Sequence, residues 1–175
     1  FEVSGGYGVM RVGTFSKTIA TGLRVGWILA EPGLIKRLVF MRFDNGSSPL
    51  LHRTVLEYLD SGSHERHLEL LRTVYRERRD VVARALVDNC EPYLSFRNPA
   101  GGFFHWLRLD DSLNSNAVAS AASQRGVAVT PGHLYFDGEG GENRIRLVYP
   151  ALPPDRLQEA ISLFSDALEE VSERK

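Results

Sequence analysis

Residues 13–27 read GTFSKTIATGLRVGW, with Lys17 near the middle and an apolar run on either side. The runs at 9–12 and 25–30 are short and largely β-branched, which predicts two buried strands. Lys17 then lies in the loop that joins them. A lysine in such a loop is most simply a solvated side chain, so the prediction of a site depends on its neighbours.

Those neighbours are groups that bind an anion beside an amine. Thr14 and Ser16 supply hydroxyl donors before Lys17, and Arg24 supplies a planar cation seven residues after it. An amine attacks an aldehyde when burial or nearby cations favour its unprotonated form. A phosphate handle next to an aldehyde is the combination found in pyridoxal 5'-phosphate, so the segment predicts a site for that cofactor.

The same spacing resembles the cofactor-lysine segment of class I/II aminotransferases of fold type I, in the branch of the aminoadipate and kynurenine aminotransferases. That segment has a hydroxyl residue three before the lysine, a serine one before it and an arginine seven after it. The resemblance implies that Lys17 holds pyridoxal 5'-phosphate as a Schiff base and acts as general base and acid. It also implies that Thr14, Ser16 and Arg24 bind the cofactor phosphate.

Two later segments extend the resemblance. In residues 143–149, NRIRLVY, Arg144 and Arg146 share one face of a predicted strand, and the family has a substrate-carboxylate arginine in a similar setting. By position that residue is Arg146, while Arg144 is interpreted as a supporting or surface residue. Residues 98–106, NPAGGFFHW, resemble a family turn and strand, in which we interpret Phe104 and Trp106 as core.

The remaining pattern predicts a mixed α/β chain. Helical periodicity predicts helices at 32–39, 50–59, 64–87, 114–124 and 154–171. Strand patterns occur at 93–96, 103–109, 127–130 and 144–149, and a turn-rich loop is predicted at 44–49. The resemblance implies that this α/β chain is the C-terminal part of a fold-type I aminotransferase. It would comprise the end of the large-domain sheet and an α+β small domain. Residues 1–60 are assigned to the large cofactor-binding domain, and residues 61–175 to the linking helix and the small domain.

Composition favours small-molecule partners. The formal net charge is -1, with 21 basic and 22 acidic residues, so charge gives no reason to expect nucleic acid or a membrane surface. The single cysteine and the absence of a long apolar run fit a cytoplasmic protein. Five scattered histidines lack metal-ligand spacing, which predicts no metal site. The charged run at 76–80 is interpreted as the solvated face of the long helix.

The resemblance covers only the later part of the family's length. In the family, the aspartate on the pyridine nitrogen, the tyrosine on the phenolic oxygen and a glycine-rich phosphate loop precede the lysine strand. This chain has none of them and begins with Phe1 rather than methionine. We therefore expect it to be a piece of a longer protein, inactive alone, whose parent is a homodimer acting on an amino acid and a 2-oxo acid.

Two alternatives stay open at this stage. Bacterial regulators exist that carry an aminotransferase-like domain behind a winged helix, and their lysine segment resembles this one. An upstream winged helix would make nucleic acid a partner. The same cofactor also supports carbon-sulfur lyases and decarboxylases, and the amino-acid donor is left open among aromatic, aminoadipate-like and branched-chain substrates.

Overall fold

The structure is a computed structural model that describes residues 3–42 and 46–174. It separates into two compact units, Phe1–Leu71 and Arg72–Lys175. In the first unit, strands β1 (Arg11–Thr14) and β2 (Gly26–Leu29) precede helices α1 (Pro32–Phe40) and α2 (Pro49–Asp60). Helix α3 (Ser63–Cys90) begins in the first unit and ends in the second.

Strands β1 and β2 pair antiparallel and carry the lysine loop between them. The register places Gly13 opposite Trp27 and Thr14 opposite Gly26. The two strands are confirmed, but the expectation that they are buried is wrong, because most of their residues are exposed. Side chains of a strand point to the two faces of its sheet, and within the described residues neither face of this two-stranded ribbon is fully covered.

Both predicted helices of the first unit are confirmed, and each starts on a proline. Pro32 and Pro49 occupy the first helical positions, where a missing N–H costs nothing and the fixed φ already suits a helix. Asp44 and Asn45 of the predicted turn-rich loop lie outside the described residues.

The second unit is built on a four-stranded antiparallel sheet of order β3-β4-β6-β5. The strands are β3 (Leu94–Phe96), β4 (Phe104–Leu109), β5 (Thr130–Pro131) and β6 (Arg144–Val148), and the helices that accompany α3 are α4 (Ser115–Gln124) and α5 (Pro154–Glu173). These elements confirm the predicted helices and three of the four predicted strands.

One predicted strand is shorter than expected. The pattern at residues 127–130 predicts a strand, yet only Thr130 and Pro131 pair with β6. The N–H of Val127 donates to Ala122 O at 2.9 Å, so the chain leaving α4 is held to the helix end. Ladder pairing therefore starts only at Thr130, opposite Arg146.

One face of this sheet is packed under helices and the other is open. Along β4, His105, Leu107 and Leu109 are buried and alternate with exposed residues, the period of two expected of a half-covered sheet. The core joins this face to all three helices; its members include Val82 and Leu86 of α3, Val118 of α4, and Ile161, Phe164 and Leu168 of α5. None of the helices in the described part of the chain combines the length and the apolar character that a membrane span requires.

His105 is an ionisable side chain buried against this core, and it lies edge-on to the rings of Phe96 and Tyr149, at 5.5 Å and 5.3 Å between centroids. Burial lowers the pKa of His105 from 6.5 to about 4. Between these two pH values the unfolded chain binds more protons than the folded chain. The contribution of His105 to the free energy of unfolding is therefore complete above pH 6.5 and is lost as the pH falls toward 4.

We expect the urea midpoint of the protein to fall through this pH window, and His105→Leu to flatten that fall because it removes the titrating ring. The control is His52→Leu on the exposed side of α2, which leaves the wild-type dependence in place. An equally steep fall in the His105→Leu variant would show that other groups cause it. The measurement is a series of urea unfolding curves followed by circular dichroism.

Candidate functional site

The lysine loop opens with two hydroxyls side by side. Thr14 Oγ1 donates to Ser16 Oγ at 2.9 Å, and the Ser16 N–H donates back to Thr14 Oγ1 at 3.1 Å. Thr21 Oγ1 donates to the Ser16 carbonyl at 3.1 Å, which ties the far side of the loop to the same residue. The structure therefore brings Thr14 and Ser16 together at the end of β1.

The base of the loop depends on a glycine under a tryptophan. A Cβ on Gly13 would lie 2.2 Å from Trp27 Cε2, a distance that no side chain could occupy without moving the ring. The Phe15 N–H donates to Val25 O at 3.1 Å, and the Phe15 ring packs edge-on against His64 of α3 at 6.0 Å. These contacts fix where the loop leaves β1 and where it returns to β2.

Arg24 has an unusual backbone conformation. Its φ is 51°, and within the described residues it is the non-glycine residue with positive φ. It follows a single 3-10 turn, Thr21–Leu23, and precedes Val25, whose carbonyl accepts the Phe15 N–H. A left-handed arginine costs on the order of 1 kcal/mol, and such strain is concentrated at functional sites.

Lys17 itself is exposed, as are Thr14 and Arg24, while Ser16 is half-buried. These four residues lie between the end of β1 and the start of β2. Two adjacent hydroxyls and an arginine are suitable donors for a phosphate. The fifth predicted site residue, Arg146, lies in the second unit.

Arg146 lies on the open face of the second unit's sheet. It is half-buried and stands directly opposite Trp106 in the β4–β6 register. Phe104 and Trp106 share that face and are each 40% exposed, so their interpretation as core is wrong. The three helices cover the opposite face, which Leu107 and Leu109 occupy.

The guanidinium of Arg146 lies against aromatic rings. Its Cζ is 4.3 Å from the ring centroid of Phe104 and 4.6 Å from that of Tyr135. Its Nε is buried without a hydrogen-bond partner, and within residues 3–42 and 46–174 no carboxylate pairs with it. Neither Tyr135 nor the contact of Phe104 with Arg146 is predicted from the sequence. The sequence does carry one indication that Phe104 is exposed. Phe104 lies an even number of residues from Arg108, so both side chains are on the same face of the strand.

The turn before β4 is held from two sides. Arg79 Nη1 donates to Pro99 O at 3.1 Å, and Tyr149 Oη donates to Gly102 O at 2.6 Å. Arg78 likewise donates to the Pro150 carbonyl. The interpretation of residues 76–80 as a solvated face is therefore wrong at Arg78 and Arg79, because both guanidinium groups cap backbone carbonyls that the sheet leaves unpaired.

Comparison with known proteins matches residues 1–164 to the family model "Aminotransferase class I and II". The chain belongs to that family. This aminotransferase-family chain is 34% identical to the 2-aminoadipate transaminase of Thermus thermophilus over 165 residues, covering 92% of the chain and 41% of that protein. It is also 32% identical to the uncharacterised HTH-type transcriptional regulator YdfD of Bacillus subtilis, covering 95% of the chain and 34% of the regulator.

The fold agrees with the family. The aminotransferase-family chain superposes on LysN, an alpha-aminoadipate aminotransferase from Thermus thermophilus complexed with N-(5'-phosphopyridoxyl)-L-leucine, with a TM-score of 0.93 and 31% identity. The match covers 99% of this chain and 45% of that one. The predicted fold class is confirmed, and the chain spans less than half the length of the relatives it matches.

Proposed function

We propose that this chain works within a pyridoxal-phosphate-dependent aminotransferase that moves an amino group between an amino acid and a 2-oxo acid. The observation that carries the proposal is the hydroxyl pair of Thr14 and Ser16, 2.9 Å apart, in the same loop as an exposed lysine and a left-handed arginine. This donor set suits a phosphate-bearing aldehyde. Family membership and the ligand of LysN support the same cofactor.

Each residue of the loop has a distinct role in the proposal. Thr14, Ser16 and Arg24 hold the cofactor phosphate through two hydroxyl donors and a charge-assisted pair. The Nζ of Lys17 would hold the cofactor covalently until the amine of the substrate replaces it. The freed amine of Lys17 would then move the proton at the substrate Cα, as general base and acid. When bound, the cofactor supplies an electron sink for the bond that breaks.

Arg146 is the proposed anchor for the substrate. A guanidinium offers two parallel N–H donors that match the two oxygens of an α-carboxylate. With Nε buried and unpartnered, the terminal nitrogens are the donors left for a ligand. Binding both carboxylate oxygens would fix the rotation of the substrate, and therefore the direction of its Cα–H bond.

The organisation of the whole protein is part of the proposal. Residues 1–60 belong to the large cofactor-binding domain, and residues 61–175 comprise the linking helix and the small domain. The enzyme is a homodimer, neither a metal nor a membrane takes part, and the protein is cytoplasmic, as its free, buried Cys90 suggests. Because the chain covers 41% of the transaminase it resembles, the chain alone is expected to be inactive.

A second candidate is the effector domain of a transcriptional regulator. It is favoured by the similarity to YdfD over 95% of this chain. The regulator and the enzyme can use the same cofactor loop, so the loop does not distinguish them. The distinction lies in what the full-length protein does with an amino acid once the cofactor is bound.

The test is product analysis on the full-length protein supplied with cofactor. L-2-aminoadipate, L-leucine and L-phenylalanine are each paired with 2-oxoglutarate, and we expect glutamate to form in equal amounts to the new 2-oxo acid for at least one donor. Ammonia released without glutamate would indicate a lyase. Binding of promoter DNA without amino transfer would decide for the regulator.

A further inference from the structure

Four aromatic side chains cluster around Arg146 on the open face of the sheet; they are Phe104, Trp106, Tyr135 and Phe136, and each is 40–45% exposed. Contiguous exposed apolar patches often mark an interaction site or a ligand-binding groove. Two of these rings, Phe104 and Tyr135, contact the guanidinium directly. The other two do not contact it in this way and pack against Tyr135 or Trp106 instead.

The strand register explains how the cluster is assembled. Trp106 pairs with Arg146, and Phe104 pairs with Val148, so Phe104 is the diagonal neighbour of the arginine on the same face. Trp106 packs edge-on against Tyr135 at 5.7 Å and stacks on Phe136 at 6.5 Å. Trp106 therefore supports Tyr135 from the side, while Tyr135 lies on the guanidinium.

Ring contact leaves the hydrogen-bonding capacity of the Arg146 guanidinium unused. Aromatic rings attract a guanidinium through its flat face and leave its in-plane N–H donors available. Nε has no partner, and within the described residues no carboxylate neutralises the charge. Arginine has many rotamers, and a site that holds one of them in advance avoids that entropy loss when the ligand binds.

We propose that Phe104 and Tyr135 are positioning residues, which hold the Arg146 guanidinium by ring contact so that its terminal N–H groups face the α-carboxylate of the substrate. This inference rests on the proposed function, since it assumes that Arg146 binds that carboxylate. The rings touch the arginine and act through it. Removing a ring should therefore weaken the binding only of those ligands that carry a carboxylate.

The experiment measures binding by calorimetry on the full-length protein freed of cofactor. The two probes are N-(5'-phosphopyridoxyl)-L-leucine and its decarboxylated counterpart, N-(5'-phosphopyridoxyl)-3-methylbutylamine, and the ratio of their affinities reports the carboxylate alone. We expect Tyr135→Leu and Phe104→Leu each to reduce this ratio about three- to tenfold, the range of a cation–π contact. Tyr135→Phe keeps the ring and should keep the ratio.

The outcomes separate the inference from the function beneath it. An unchanged ratio in both leucine variants, or an equal loss of affinity for both probes, overturns the positioning role. Arg146→Gln should abolish the preference for the carboxylate probe. A preference that survives Arg146→Gln overturns the carboxylate role of Arg146 and the positioning role together, and failure of the wild-type protein to bind either probe overturns the cofactor assignment as well.

Discussion

We expect Lys17→Ala to remove the covalent attachment of the cofactor and to reduce amino transfer by at least roughly 10²–10⁴-fold, the contribution of a positioned general acid–base group. In the structure Lys17 is exposed in the loop that joins β1 to β2, next to the Thr14–Ser16 hydroxyl pair. Its replacement removes the amine and leaves those hydroxyls in place. Non-covalent binding of the cofactor through its phosphate should therefore survive in part.

The measurement is borohydride reduction followed by peptide mass analysis. The wild-type protein should carry the cofactor mass on the peptide that contains Lys17, and the alanine variant should carry none there. Lys36 provides a matched control, since it is another exposed lysine of the same unit and lies on α1. A reduced cofactor on the Lys36 peptide, or full activity in the Lys17→Ala variant, would contradict the assignment.

The elements of this fold were largely predictable because their patterns are local. Pro154 followed by apolar residues three and four apart predicts a helix, and α5 runs from Pro154 to Glu173. The burial of β1 and β2 was not predictable, since it depends on what lies beside the ribbon. The same holds for residues 127–129, where the bond from Val127 to Ala122 delays the strand.

The candidate site also has parts that a local sequence pattern predicts and parts that depend on tertiary packing. The hydroxyl, lysine and arginine spacing is a contiguous signal, and the structure places Thr14 and Ser16 in contact. The prediction that Phe104 and Trp106 are core residues is wrong because β4 carries apolar residues on both faces. Periodicity alone cannot say which face the helices cover. Arg108 lies on the same face of β4 as Phe104 and Trp106. A charged residue on that face indicates that the face is open.

The contact of Tyr135 with Arg146 has no signal in the sequence. Tyr135 closes a short 3-10 turn, Gly132–Tyr135, that follows β5. Gly132 begins that turn because a Cβ there would lie 2.3 Å from the Cβ of Arg144. The ring reaches the guanidinium only because this tight packing brings the turn onto β6, a tertiary relationship that a single sequence does not encode in any local pattern.

We expect Arg146→Gln to raise the KM for the amino-acid donor by roughly 30-fold or more, since removal of one partner of a hydrogen-bonded charge pair costs about 2–5 kcal/mol. Glutamine keeps much of the side-chain length but loses the charge and the paired donors. Arg146→Lys restores the charge without the fork and should recover only part of the loss. The readout is steady-state kinetics of the full-length enzyme with the donor that the product analysis identifies.

Arg144 is the control that makes this prediction specific. It is half-buried on the same face of β6, two residues before Arg146. In the β4–β6 register it lies opposite Arg108, whereas Arg146 lies opposite Trp106. No ring contact is found for its guanidinium within the described residues, so we expect Arg144→Gln to change KM by less than about threefold, as for a surface charge. A large effect at Arg144 with little at Arg146 would place the carboxylate site at Arg144 instead, because both residues carry the same guanidinium group.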